Sequence, residues 1–133
     1  MVTLNGLEKK FGNQHILRNI THIFEAGSKT VVLGSNGSGK STLIKILSGA
    51  VEASNNPPKY NFNSPIAANE AGKHCSMVAP YMALNPMFTL KETLRFHDLM
   101  CGFEETVQLS KWIDVAGLNK HQEKRIQTYS SGM

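Results

Sequence analysis

The side chains best suited to chemistry stand together in one stretch, VVLGSNGSGKSTLIKILSG, residues 31–49. Gly34, Gly37 and Gly39 are interleaved with Ser35, Asn36 and Ser38, and Lys40, Ser41 and Thr42 follow at once. Glycines let the backbone adopt positive φ and close around a small ligand, so several N–H groups converge. A helix starting at the lysine would add its own N-terminal amides and the positive end of its dipole. That is a cradle for an anion with several oxygens. Lys40 is placed to reach β- and γ-phosphates as a point charge. The Ser41 hydroxyl is a hard oxygen ligand suited to Mg2+, and Thr42 is placed to bond an α-phosphate oxygen.

From Gly34 to Ser41 the chain fits G-x-x-x-x-G-K-[ST] at every fixed position. At ordinary glycine usage, a chance match is expected in roughly one chain in two hundred of this length. The context required of the motif is also present, an apolar run before and an amphipathic helix after. The stretch therefore reads as a site for the phosphates of a nucleoside triphosphate.

The elements that must position this loop can be read around it. Residues 1–24 read as a hairpin, turning at FGNQ, with Ile16, Ile20 and Phe24 on one side of the second strand and Leu17 and Ile23 on the other. SKTVVLG, 28–34, reads as a short, fully buried strand. A helix is expected from Lys40 to Leu47, with Leu43, Ile46 and Leu47 on one face and Gly49 at its C-terminal cap. Residues 52–73, rich in Asn, Pro and Ser, read as loop with a short strand near Tyr60–Phe62. HCSMVAP, 74–80, is expected to be a second core strand ending at Pro80. Thr89 with Glu92 has capping-box spacing, opening a helix whose apolar face is Leu90, Leu94, Phe96 or His97, and Met100. A further helix is expected within 103–118, ending near Gly117.

The bulk properties narrow the class. In 133 residues with 41% apolar content the chain can bury a core. No apolar run approaches the roughly 18 residues of a membrane span, and residues 1–12 lack the pattern of a secretory signal. Cys75 and Cys101 have no ligand-spaced partners and read as reduced thiols. The five histidines are scattered, and none is assigned to a metal. Net charge is +4, and the densest basic run, KHQEKRIQ (120–127), is interrupted by Glu123. It reads as a solvated surface of mixed charge, so no nucleic-acid partner is expected.

Nearly the whole chain resembles the first part of an ATP-binding cassette (ABC) ATPase domain. The resemblance rests on the hairpin and loop of residues 7–49, on G-x-N-G-x-G-K-S-T as the ABC form of the Walker A motif, on LNPMFTLKETLRF (84–96), and on YSSGM (129–133) in the place of the LSGGQ signature. It implies an α/β P-loop NTPase fold in three layers, with an N-terminal antiparallel β subdomain and a helical subdomain. Residues 1–79 would be the β subdomain and P-loop core, and 80–133 the Q-loop region, helical subdomain and start of the signature. It places ATP and Mg2+ on Gly34, Ser35, Asn36, Gly37, Ser38, Gly39, Lys40, Ser41 and Thr42, with Ser41 on the metal and Phe11 stacked on adenine. Ser130, Ser131 and Gly132 would contact the ATP held by an opposite subunit.

The sequence departs from the family at three places. The Q-loop glutamine falls on Pro80, which has no amide side chain to offer a metal or water. Ser131 and Met133 replace Gly and Gln of the signature. No Walker B strand is recognisable, so the general base and second Mg2+ carboxylate are missing, and the chain is expected to be a truncated domain with no catalytic residue of its own.

The function implied is that of an ATP-binding subunit of an ABC transporter, an ATPase when complete. Its partners would be a transmembrane subunit and a second ABC ATPase domain, and its place the cytoplasmic face of the membrane. A soluble ABC protein acting on ribosomes or DNA and a non-catalytic nucleotide-binding module are the alternatives.

Overall fold

The computed structural model describes residues 1–79, 83–103 and 108–130. The chain divides into two compact units, 1–77 and 78–133.

In the first unit the hairpin forms as the alternation requires. Strand β1 (Val2–Phe11) pairs antiparallel with β2 (Gln14–Phe24), Phe11 opposite Gln14 across the turn. Two short strands, β3 (Lys59–Asn61) and β4 (Pro65–Ile66), complete an antiparallel sheet in the order β2-β1-β3-β4. The β1–β2 pairing slips between Leu4 and Leu7. Such a bulge lets residues three apart share one face, and both leucines are fully buried. The simple alternation expected for β2 is likewise broken. Leu17 is buried, yet Ile16, Ile20 and Phe24 also pack on the core, because Asn19 takes a positive φ of 48° and resets the pleat.

Helix α1 runs over Lys40–Leu47, the bounds read from the sequence. It lays Leu43 and Ile46 on Leu4, Leu7 and Leu17 of the sheet. Burying a side chain of this size contributes about 1.5–3 kcal/mol, so α1 is held by packing, since eight residues are too few for a helix to persist alone.

Two expected core strands are absent. Residues 28–34 have no strand pairing, and Val31 and Leu33 are 77% and 85% exposed. Residues 74–79 are likewise irregular, with Val78 97% exposed. A parallel strand needs hydrogen-bonded neighbours on its edges. The sheet of this unit offers none to either segment, so their apolar residues are only partly covered: Val32 packs against the core, while Val31, Leu33 and Val78 stay exposed. Among the described residues the unit is therefore two layers, helix on sheet, rather than three.

In the second unit, α2 (Leu90–Cys101) starts at Thr89 with the expected reciprocal bonds: the Glu92 amide donates to Thr89 Oγ1 at 3.1 Å, and the Thr89 amide to Glu92 Oε2 at 2.8 Å. Its apolar face is not buried as expected. Leu90 and Leu94 are half-buried, but Phe96 and Met100 are 54% and 68% exposed; the backbone bonds to the following segment lie at the helix start, Lys91 N to Gln122 O, with Ile126 N to Phe88 O just before it. Helix α3 (Leu109–Val115) is shorter than expected and buries only Ile113; residues 104–107, in the expected helix, lie outside the described residues. A 3-10 turn over Ile126–Thr128 leads to Ser130.

Candidate functional site

The glycine-rich loop connects residue 34 to α1 and is stabilised from within. The Lys40 ammonium folds back along it, donating to the carbonyls of Gly34 at 2.9 Å and Ser35 at 2.8 Å. The Ser38 amide closes a turn onto Ser35 O at 3.2 Å. Gly37 and Gly39 take φ values of 81° and 93°, which side-chain-bearing residues rarely adopt. Gly39 is also where the loop meets the hairpin. A Cβ there would lie 2.8 Å from Leu17 Cδ2 and 3.2 Å from the Ile16 carbonyl oxygen.

The ladder of α1 opens with Leu43 N donating to Gly39 O at 2.9 Å. The amides of Lys40, Ser41 and Thr42 precede it and lack an intrahelical acceptor of that kind. No acidic residue stands in the first turn, so the helix end keeps its positive character. Ser35, Asn36, Gly37, Ser38 and Ser41 are exposed around this end, and Lys40 and Thr42 are half-buried. The arrangement can take a multiply charged anion on amides and one ammonium. Ser41 supplies a single hydroxyl, and among the described residues no group of three or more His, Cys, Asp or Glu is placed to hold a metal. A cation at Ser41 would thus draw its other oxygens from the anion or water.

The other end of α1 is held by a residue that the sequence reading missed. Tyr60, buried in β3, donates its hydroxyl toward Ile46 O at 3.1 Å and Leu47 O at 3.2 Å. Ile46 O also accepts from Gly49 N at 3.0 Å, so the phenol adds a further donor at the helix end, where carbonyls lack intrahelical partners. Burial, with a smaller electrostatic contribution from Cys75, pushes the Tyr60 phenol up to about 12. The signal was present as one of two aromatics, with Phe62, in a polar, Pro- and Asn-rich segment, read only as part of a short strand.

Phe11 ends β1 at the hairpin turn, 52% exposed. The Lys9 ammonium sits over its ring, 4.7 Å from the centroid. Within the same hairpin, Ile16 and Leu17 touch Gly39, so β2 links the Phe11 end to the loop. Ser130 is exposed in the second unit, following Tyr129, whose hydroxyl donates to His121 O at 2.7 Å. Ser131, Gly132 and the Q-loop position Pro80 lie outside the described residues. In the basic run, Glu123 pairs with Lys91 at 3.0 Å, both exposed.

A glycine-rich loop of this kind on the N-terminus of a helix is the arrangement of a P-loop domain, and comparison with known proteins places it more closely. The sequence profile of the ABC transporter family matches residues 17–133. "Probable ABC transporter ATP-binding protein PEB1C" of Campylobacter jejuni is 33% identical over 97 residues, 71% of this chain and 40% of that protein. "Linearmycin resistance ATP-binding protein LnrL" of Bacillus subtilis is 28% identical over 143 residues, covering 100% of this chain and 44% of its own. Among solved structures, one described as the ATP binding subunit of an ABC transporter superposes with a TM-score of 0.84, covering 100% of this chain and 57% of that one at 22% identity. The chain belongs to the ABC transporter family and has the ABC-type P-loop fold. It spans about two fifths of the length of the curated relatives it matches. No helix among the described residues is long and apolar enough to cross a membrane.

Proposed function

We propose that the chain binds Mg-ATP at the loop of residues 34–42 as part of the ATP-binding subunit of an ABC transporter. The observation that carries the reading is the Lys40 ammonium, held by two loop carbonyls at the mouth of a helix N-terminus whose first turn has no acidic residue. The amides of the loop and of the first turn take the phosphates, Lys40 the β- and γ-oxygens, and Ser41 the Mg2+ ion. Phe11, at the exposed end of the hairpin, stacks on the adenine. Ser130, Ser131 and Gly132 contact the nucleotide of a second ABC domain. The whole protein hydrolyses ATP against a transmembrane partner at the cytoplasmic face of the membrane. Family membership and the names of the relatives support this reading.

The residues present provide binding and charge neutralisation. Among residues 1–133 no Asp-Glu pair follows an apolar strand, so these residues supply no general base for water attack. The test is calorimetric titration of Mg-ATP into the chain and into Lys40→Ala, with released phosphate assayed in the same cell. We expect Lys40→Ala to lose about 1.5–3 kcal/mol of charge-assisted binding, roughly 10- to 150-fold in Kd, with no phosphate release by either. Equal affinities, or turnover proportional to chain concentration, would refute the respective halves of the proposal.

A further inference from the structure

We propose that Lys9 is a positioning residue for the nucleotide base, holding the Phe11 ring so that one face stays covered and the other is presented. This inference rests on the reading of Phe11 as the base platform.

Three contacts define the arrangement. The Lys9 ammonium lies 4.7 Å from the Phe11 centroid. The same ammonium donates to the Glu52 carbonyl at 2.7 Å. Glu52 is itself held, because the segment after it is laced to β1: Ser54 N donates to Glu8 O at 2.9 Å, Glu8 N to Asn55 O at 3.2 Å and Lys10 N to Ser54 Oγ at 3.0 Å.

The consequences follow from electrostatics. An exposed phenylalanine at a hairpin end samples several rotamers, and stacking a base on it must first freeze them. A cation over one face is drawn by the ring quadrupole. It fixes the ring plane, and it draws π density away from the opposite face, where a purine would stack. Glu52 follows α1 directly, beyond Gly49. Lys9 therefore ties the end of the hairpin to the chain leaving the phosphate-binding helix. It adds a side-chain tie to the backbone bonds that already lace β1 to residues 54 and 55.

The test compares two probes that share a phosphate site and differ in having a base, Mg-ATP and magnesium tripolyphosphate. They are titrated into the chain and into Lys9→Met, Lys9→Arg and Phe11→Ala. Lys9→Met keeps the aliphatic stem and removes the cation. We expect it to weaken Mg-ATP about twofold to fivefold, from the exposed cation–π range, while tripolyphosphate affinity is unchanged. Lys9→Arg, which retains cation and donor, should restore the ATP preference. A parallel loss for both probes would mean that Lys9 only supports the fold, and would overturn the proposal. So would an unchanged ATP preference in Lys9→Met alongside a reduced one in Phe11→Ala. An ATP preference unaffected by Phe11→Ala would instead remove Phe11 as the platform, and this inference with it.

Discussion

Replacing Gly39 by alanine tests how the loop is held, and its cost can be worked from the geometry. Gly39 has a φ of 93°, where an L side chain costs about 1–2 kcal/mol. The added Cβ would also lie 2.8 Å from Leu17 Cδ2, 3.1 Å from Ile16 Cγ2 and 3.2 Å from Ile16 O. The first two contacts yield only by pushing β2 side chains off the core, and the third is backbone. Overpacking of this kind adds about 1–3 kcal/mol, giving about 2–5 kcal/mol in all. Gly37 is the control within the same loop, with a φ of 81° and nothing within 4 Å of its Cβ position; Gly37→Ala should cost only the conformational part, about 1–2 kcal/mol. The assay is hydrogen exchange at the Leu43 amide, whose bond to Gly39 O opens α1, read beside the Mg-ATP affinity of each variant. Faster exchange in Gly39→Ala than in Gly37→Ala is expected. Equal exchange in the two variants would refute the claim that the hairpin is pressed against the loop at Gly39.

Two further predictions concern the ends of helices. Tyr60→Phe removes the hydroxyl from Ile46 O and Leu47 O and should destabilise the first unit by about 1–2 kcal/mol, read as a lower thermal midpoint. Because burial pushes the folded phenol up to about 12 from an ordinary 10.0, its contribution is full below pH 10 and is lost as pH rises through 12; Tyr60→Phe should flatten that part of the stability curve, and an unchanged alkaline slope would count against burial of the phenol. In the second unit, Thr89→Ala should cost about 1 kcal/mol of α2 stability, seen as lost helical circular dichroism. The Thr89 backbone N–H, then its hydroxyl, hold the Glu92 carboxyl below the usual carboxylate range. That support is present above the ordinary Glu range near pH 4.3 and is lost as pH falls; alanine keeps the backbone N–H and loses only the hydroxyl, so the part of the deficit owed to the hydroxyl–carboxylate bond should shrink in acid, and a deficit independent of pH would argue against that bond.

Local signals were the legible ones. The bounds of α1 follow from Gly39 before it, the i, i+3, i+4 placement of Leu43, Ile46 and Leu47, and Gly49 after it, all within residues 39–49. The α2 start was legible for the same reason, since Thr89 and Glu92 satisfy each other's backbone without outside help. The loop motif was equally plain, since its meaning lies in residue types at fixed spacing. What depended on distant partners was not legible. An apolar run such as TVVLG (30–34) says that a strand would be buried if flanked, but not whether flanking strands are there, and here Val31 and Leu33 face outward. Lys9 gave no signal at all, since a lysine in a hairpin is ordinarily a solvated charge and its carbonyl partner lies 43 residues away. Asn19 resetting the register of β2 was equally hidden, because its positive φ is a property of the bulge, not of the pattern.

These gaps bear on how the cradle keeps its shape. In a strand–loop–helix unit the strand is expected to anchor the loop from its N-terminal side, yet residues 28–34 make no strand pairing. The contacts holding the loop come from its own ammonium and from the far side. Lys40 ties the helix start back to Gly34 and Ser35, Ile16 and Leu17 press on Gly39, Leu43 and Ile46 fix α1 on the sheet, and Tyr60 holds the last turn. Each is a contact to β1, β2 or β3, or within the loop, and none requires the apolar run before Gly34. The loop and the antiparallel sheet thus form one mechanical piece, and strain in β2 is transmitted to the glycine-rich loop more directly than change at Val31 or Leu33. Polar substitution at those two exposed positions should accordingly leave the Lys40 contacts in place, whereas enlarging Leu17 beneath Gly39 should disturb them.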